Sequence, residues 1–139
     1  MNITELGEVL GSVDTLVVVG CSANPSKEAH TVPARMQQAG YRIVPVNPRG
    51  GTILGEKAYA TMLDVPEPVE FVTLFRPGPM TPPFAREAVQ AGARVLWLQE
   101  GILSAESRAI AEDAGMTYVE DACIAVIRAA NRLVKAGGS

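Results

Sequence analysis

The sequence is short of most of what catalytic and metal centres are built from. It has one histidine, His30, and two cysteines, Cys21 and Cys123, which lie far apart with no second pair to complete a metal site. Free, reduced thiols and a cytoplasmic location are the corresponding expectation. No apolar run exceeds the length of a strand, so none can cross a bilayer as a helix. The opening residues, Met1-Asn2-Ile3-Thr4-Glu5, lack the basic region and apolar stretch of a secretion signal. An excess of positive charge is missing as well. The formal net charge is −3, which gives no general attraction to nucleic acid or to an anionic membrane. Internal repeats, low-complexity tracts and linkers are absent. Any basic site must therefore be local.

What is present is a regular alternation of strand-length and helix-length apolar segments. The 139 residues suffice for one domain and a single core, and 47% of them are apolar. Residues 3–11 lead as a short helix, with Leu6, Val9 and Leu10 on one side. Strands are expected near 15–20, 41–46, 70–75, 94–98 and 117–120, with a brief extended piece at 52–54 and one helical turn near 60–63. Helices are expected from about 30 to 39, from 82 to 91 after a Thr81 cap and Pro82, and from 105 to 114 after a Ser104 cap. A last helix is expected from 122 to 135 after an Asp121 cap. Pro33, which has no N–H, argues for starting the first long helix no earlier than His30. Such alternation implies an α/β fold: a Rossmann-like, doubly wound parallel sheet of five to six strands with helices on both faces. The whole chain, 1–139, reads as one domain with its core at about 13–135 and a frayed tail at 136–139.

In such a sheet the segments that follow the strands gather on one edge, where ligands bind. Leu16-Val17-Val18-Val19 reads as a strand buried on both faces, and Gly20 turns the chain into a loop longer than the usual ~2–6 residues. The loop keeps only the first glycine of the dinucleotide fingerprint. Its amides and the Ser22 hydroxyl suit a pyrophosphate; the alternative is a tight turn with no ligand. At the end of the second strand, where an NAD site places a carboxylate, stands Asn47-Pro48-Arg49. An arginine favours a phosphorylated ribose, as in NADP or coenzyme A, against the alternative of a solvated loop residue. Lys27 reads equally as a phosphate counter-charge or a solvated side chain. His30 reads as a loop residue near the helix start, Cys21 as a small residue filling a turn rather than a nucleophile, and Trp97 as core. Cys123 shares a helical face with Ile127, Ala130 and Val134 and reads as core too. No nucleophile–base pair is evident.

Several short pieces occur in order: Gly20-x-Ser22, Gly40-Tyr41, Pro45-Val46-Asn47-Pro48-Arg49, Phe75-Arg76-Pro77, Trp97-Leu98-Gln99-x-Gly101-Ile102 and Asp121-x-Cys123. Together, over about residues 13–127, they resemble the small stand-alone CoA-binding domain proteins, relatives of the nucleotide-binding domain of the succinyl-CoA synthetase alpha subunit. The resemblance implies coenzyme A, or an acyl-CoA, as ligand. By that resemblance the stretch from Gly20 to Lys27, with Gly20, Cys21, Ser22, Ala23, Ser26 and Lys27 as binding residues, would wrap the pyrophosphate, and Arg49 would meet the ribose 3′-phosphate, with Asn47 and Pro48 as binding residues beside it. Phe75, Arg76 and Pro77 would flank adenine or pantetheine, and Gln99, Glu100, Gly101 and Ile102 would line the cleft. The synthetases carry a phosphorylated histidine in a separate domain that this chain lacks, and Ala122 stands where many family members have arginine. The expectation is a coenzyme A-binding protein without catalysis of its own. Two alternatives remain: an NADP-binding oxidoreductase or redox sensor, and an accessory subunit of an acyl-CoA ligase. Whether the chain pairs with itself or with a partner protein is left open.

Overall fold

A computed structural model describes all 139 residues. Five strands form one parallel sheet: β1 (Thr15–Val19), β2 (Arg42–Val46), β5 (Phe71–Leu74), β6 (Val95–Leu98) and β7 (Thr117–Val119), in the order β2-β1-β5-β6-β7. Val17 lies opposite Val44 on one side and Val72 on the other. Strands with neighbours on both sides and helices on both faces can be apolar throughout, which explains why the run from Leu16 to Val19 is buried without alternation. Helices α1 (Ile3–Gly11), α2 (Glu28–Gln38) and α5 (Ile124–Ala130) pack on one face through Leu10, Met36 and Ile124. Helices α3 (Pro82–Ala91) and α4 (Ala105–Asp113) pack on the other through Ala85, Ala88 and Ala111. The fold is the expected single-domain α/β, Rossmann-like architecture. No helix is long and apolar enough to cross a membrane.

The winding reverses once. The chain leaves β1 for β2 at one edge, then returns past β1 to build β5, β6 and β7 on the other side. The reversal opens a crevice between the carboxyl ends of β1 and β5, the place where doubly wound sheets bind ligands.

Several elements depart from expectation for definite reasons. Helix α2 begins at Glu28, so Pro33 lies inside it. The extended piece Thr52–Ile53 (β3) pairs with Glu56–Lys57 (β4) as a separate hairpin. Its two-residue turn, Leu54-Gly55, has φ of 55° and 76°, the geometry that a tight hairpin requires. Thr81 does precede α3, but its hydroxyl serves Gly78 and Ser107 instead of capping the helix. Asp121 is not the cap of the last helix. Its φ is 55°, and its carboxylate accepts the Gly101 N–H at 2.7 Å. Helix α5 starts only at Ile124, whose N–H is taken by Gln99 Oε1, and ends at Ala130, where the Asn131 side chain bonds the carbonyls of Ile127 and Ile3. The tail expected to fray runs back along α2 instead: Lys135 N–H donates to the Ala39 carbonyl and Ser139 N–H to that of Gln38.

Candidate functional site

The largest cavity, about 830 Å³, opens at the carboxyl ends of β1, β2 and β5. Its floor is the loop that follows β1. Gly20 has φ +81°, which turns the chain away from the strand. Beyond it the loop is held by its own polar side chains: Ser22 Oγ accepts the Asn24 N–H at 3.0 Å, and Asn24 Oδ1 accepts the N–H and the hydroxyl of Ser26 at 3.0 and 2.8 Å. Ser22 N–H donates to the Ala29 carbonyl, fastening the loop to the first turn of α2. The amides of Cys21 and Ala23 find no acceptor in the protein. The α2 N-cap, Lys27, makes no side-chain bond, so the first turn of that helix also presents unpaired N–H groups. Together these amides make a pre-formed anion cradle.

Asn47 joins the first loop to the second. Its Nδ2 donates to the Cys21 carbonyl at 2.9 Å, and its Oδ1 accepts the Arg49 N–H at 2.9 Å. Arg49 is thus positioned through its backbone while its side chain stays exposed. Phe75 and Arg76 supply the third wall, and the Arg76 Nη2 lies 3.5 Å from Met80 Sδ.

The electrostatics of the lining are one-sided. Lys27, Arg49 and Arg76 line the cavity, no Asp or Glu does, and none of the three is in an ion pair. On a chain of net charge −3 this is a concentrated positive site. Cys21 is fully buried, and burial pushes its thiol from 9.0 up to about 12, the opposite of an activated nucleophile.

Ten of the residues singled out from the sequence converge here: Gly20, Cys21, Ser22, Ala23, Lys27, Asn47, Pro48, Arg49, Phe75 and Arg76. Ser26 is not part of the lining; its N–H and hydroxyl bond Asn24 Oδ1 and so help shape the loop. Pro77, Gln99, Glu100, Gly101 and Ile102 also lie outside the cavity. Gln99 is buried, with Nε2 donating to Thr73 Oγ1 at 2.6 Å and Oε1 accepting the Ile124 N–H at 3.2 Å; both ends of its amide are engaged in the fold. Ile102 packs against the core layer of α3 and α4. His30 is absent from the lining, and Trp97 is core as expected, its Nε1 donating to the Ala122 carbonyl at 2.8 Å. Asn24 and Gly50 lie within loops the sequence places at the ligand edge but were not singled out, the strand ends Val19 and Val46 were not named, and Ala29, Ile53, Ala60 and Phe84 were missed. Asn24 carried a usable signal, because a polar side chain between Ser22 and Ser26 can bond its own backbone. Ile53 and Phe84 arrive from distant segments with none.

The pattern of the CoA binding domain matches residues 14–129. The Bacillus subtilis uncharacterized protein YneT is 34% identical over 128 residues, 92% of this chain and 95% of that protein. A solved Thermus thermophilus protein superposes with a TM-score of 0.88 at 36% identity, covering 94% of this chain and 99% of the other. The alpha subunit of ADP-forming acetate–CoA ligase I from Pyrococcus furiosus is 30% identical over 95 residues, 64% of this chain but only 21% of the subunit. The likeness to the ligase is therefore partial.

Proposed function

The chain belongs to the CoA binding domain family, and on that premise we propose that it binds coenzyme A, free or acylated, in the cavity and carries out no chemistry on it alone. One observation supports this above the rest: three cations without carboxylate partners line a cavity free of acidic residues, beside unpaired loop amides. The pyrophosphate lies on the Gly20–Lys27 loop and the first turn of α2. Arg49 holds the ribose 3′-phosphate by a charge-assisted contact. A binding role fits a lining that has no histidine or carboxylate and whose one thiol stays protonated.

Calorimetric titration with coenzyme A, 3′-dephospho-coenzyme A, NADP and NAD tests the reading. Coenzyme A should bind best, and loss of the 3′-phosphate should weaken binding by ~1–3 kcal/mol, the range for a hydrogen bond to a charged group. Absence of heat with every coenzyme A species sinks the proposal. Preference for NADP would move the chain to the oxidoreductase or redox-sensor reading.

The partial likeness to the acetate–CoA ligase alpha subunit favours a second reading, an accessory subunit that completes an acyl-CoA ligase with another chain. Co-purification from the native cell of a chain bearing a nucleotide triphosphate site, with ligase activity in the mixture only, would support it.

A further inference from the structure

Two short apolar stretches, within connections that also carry Arg76 and Glu100, form a lip beside the cavity. Residues 77–80, Pro-Gly-Pro-Met, follow β5, and residues 101–105, Gly-Ile-Leu-Ser-Ala, follow β6. They touch where Gly78 backs onto the main chain of Leu103, so closely that a Cβ at position 78 would collide with the Leu103 carbonyl oxygen. Met80 is 45% exposed and Leu103 56% exposed, with Pro77 and Pro79 exposed beside them. Single exposed apolar residues are ordinary. A group of them on two contacting stretches beside a cavity mouth calls for a reason.

Arg76 joins the lip to the cavity: it lines the cavity wall while its guanidinium rests 3.5 Å from Met80 Sδ. The direction of the ligand follows from the sheet order β2-β1-β5-β6 and rests on the function proposed above. With the 3′-phosphate at the end of β2 and the pyrophosphate at the end of β1, the pantetheine arm continues past β5. The cavity does not extend over β6 and β7: no residue of 99–102 lines it, Gly101 is bonded to Asp121, and Gln99 is buried with both ends of its amide engaged. The arm therefore leaves across Arg76, onto Met80 and Leu103. We propose that the lip receives the acyl chain, so that the preferred ligand is the thioester of a medium-length aliphatic acid in place of free coenzyme A or a short ester.

The test is titration of the intact protein with coenzyme A, acetyl-coenzyme A and octanoyl-coenzyme A. Octanoyl should bind roughly tenfold tighter than acetyl; full burial would give ~4-fold per methylene, and the lip is open on one side. In a Met80→Ser/Leu103→Ser variant that advantage should shrink to within about twofold, on the same transfer scale. Leu103→Ala alone, at an exposed loop position, provides a milder variant should the double one fold poorly. Equal binding of acetyl and octanoyl esters by a protein that does bind coenzyme A overturns the acyl site and leaves the function above intact. Failure to bind any of the three removes that function itself. Persistence of the octanoyl advantage in both variants also overturns the assignment. So does a shift from dimer to monomer on sedimentation of the double variant, which would make the lip a self-interface.

Discussion

The amide of Ser22 donates to the carbonyl of Ala29 at 3.0 Å, and Ala29 is the residue whose carbonyl Pro33 leaves free. In an unbroken helix, residue 33 would donate its N–H to residue 29; proline has none, and its ring pushes that carbonyl outward. The proline inside α2 thus creates the acceptor that fastens the anion loop. Pro33→Ala restores the competing donor. Hydrogen exchange should then show reduced protection of the Ser22 amide, and coenzyme A affinity should fall ~2–10-fold, the worth of one net hydrogen bond. Unchanged protection and unchanged affinity together would show that the loop holds itself.

Gly20 stands at the switch point, where a side chain would be tightly crowded. A Cβ there would lie 3.0 Å from the Phe75 carbonyl oxygen and 3.1 Å from Arg76 Cδ, on a backbone with φ +81°. Gly92, at the end of α3, has φ +80° and nothing within 4 Å, so it isolates the backbone cost alone. Gly92→Ala should cost ~1 kcal/mol in urea unfolding, and Gly20→Ala up to ~3 kcal/mol because β5 must shift as well. Equal losses would mean that β5 yields freely.

These two sites mark what a sequence of this kind discloses. Strand positions were readable because a strand buried on both faces needs an unbroken apolar run, as Leu16–Val19 and Val95–Leu98 supply. The ends of α3 and α4 were readable because Gly92 and Gly115 take the left-handed conformation that closes a helix. The limits of α5 were not, since its first N–H is taken by Gln99, just past β6, and its last turn by Asn131 reaching to Ile3. The hairpin turn was hidden because leucine, at position 54, rarely adopts positive φ. At the site, loop residues that follow a strand directly were legible from topology. Ile53 and Phe84, delivered by tertiary packing, were not.

Gln99 illustrates the difference between lying near a ligand edge and facing it. Gln99→Met keeps the volume but leaves the Ile124 N–H without its acceptor and removes the bond to Thr73. Thermal or urea unfolding should reveal a loss of ~1–3 kcal/mol, the cost of an unsatisfied buried polar group. Coenzyme A affinity, measured where the variant is fully folded, should match the wild type. Weakened binding at undiminished stability would restore Gln99 to the cleft.

Arg49 should behave in the reverse manner. Its side chain is exposed and in no ion pair, so Arg49→Ala should change stability by less than ~0.5 kcal/mol. Coenzyme A affinity should fall ~1–3 kcal/mol while 3′-dephospho-coenzyme A binds the variant and the wild type alike. The two losses share one contact, so they do not add. Additive losses would place the 3′-phosphate elsewhere in the cavity. Lys27→Ala, by contrast, should weaken both ligands to a similar degree if it faces the pyrophosphate.

The buried thiol of Cys21 gives the fold an alkaline signature whose sign follows from its shift. Burial raises its pKa from 9.0 to about 12, so the folded protein holds a proton that the unfolded chain releases above pH 9. The stabilisation is fully present below pH 9 and is lost as pH rises from there toward 12, by up to ~1.4 kcal/mol per pH unit. Tyr41, raised by burial from 10.0 to about 12, adds a similar loss at slightly higher pH, and it is common to wild type and variant. Unfolding free energies at pH 8.5 and 10 for wild type and Cys21→Ala separate the two, and the wild type should lose about 1 kcal/mol more. The same burial predicts that a thiol reagent modifies Cys123, which is only partly buried, well before Cys21, as peptide mass spectrometry would show. Parallel pH profiles, or modification of Cys21 first in the folded protein, would mean that the loop opens readily and that the thiol is reachable from the cavity.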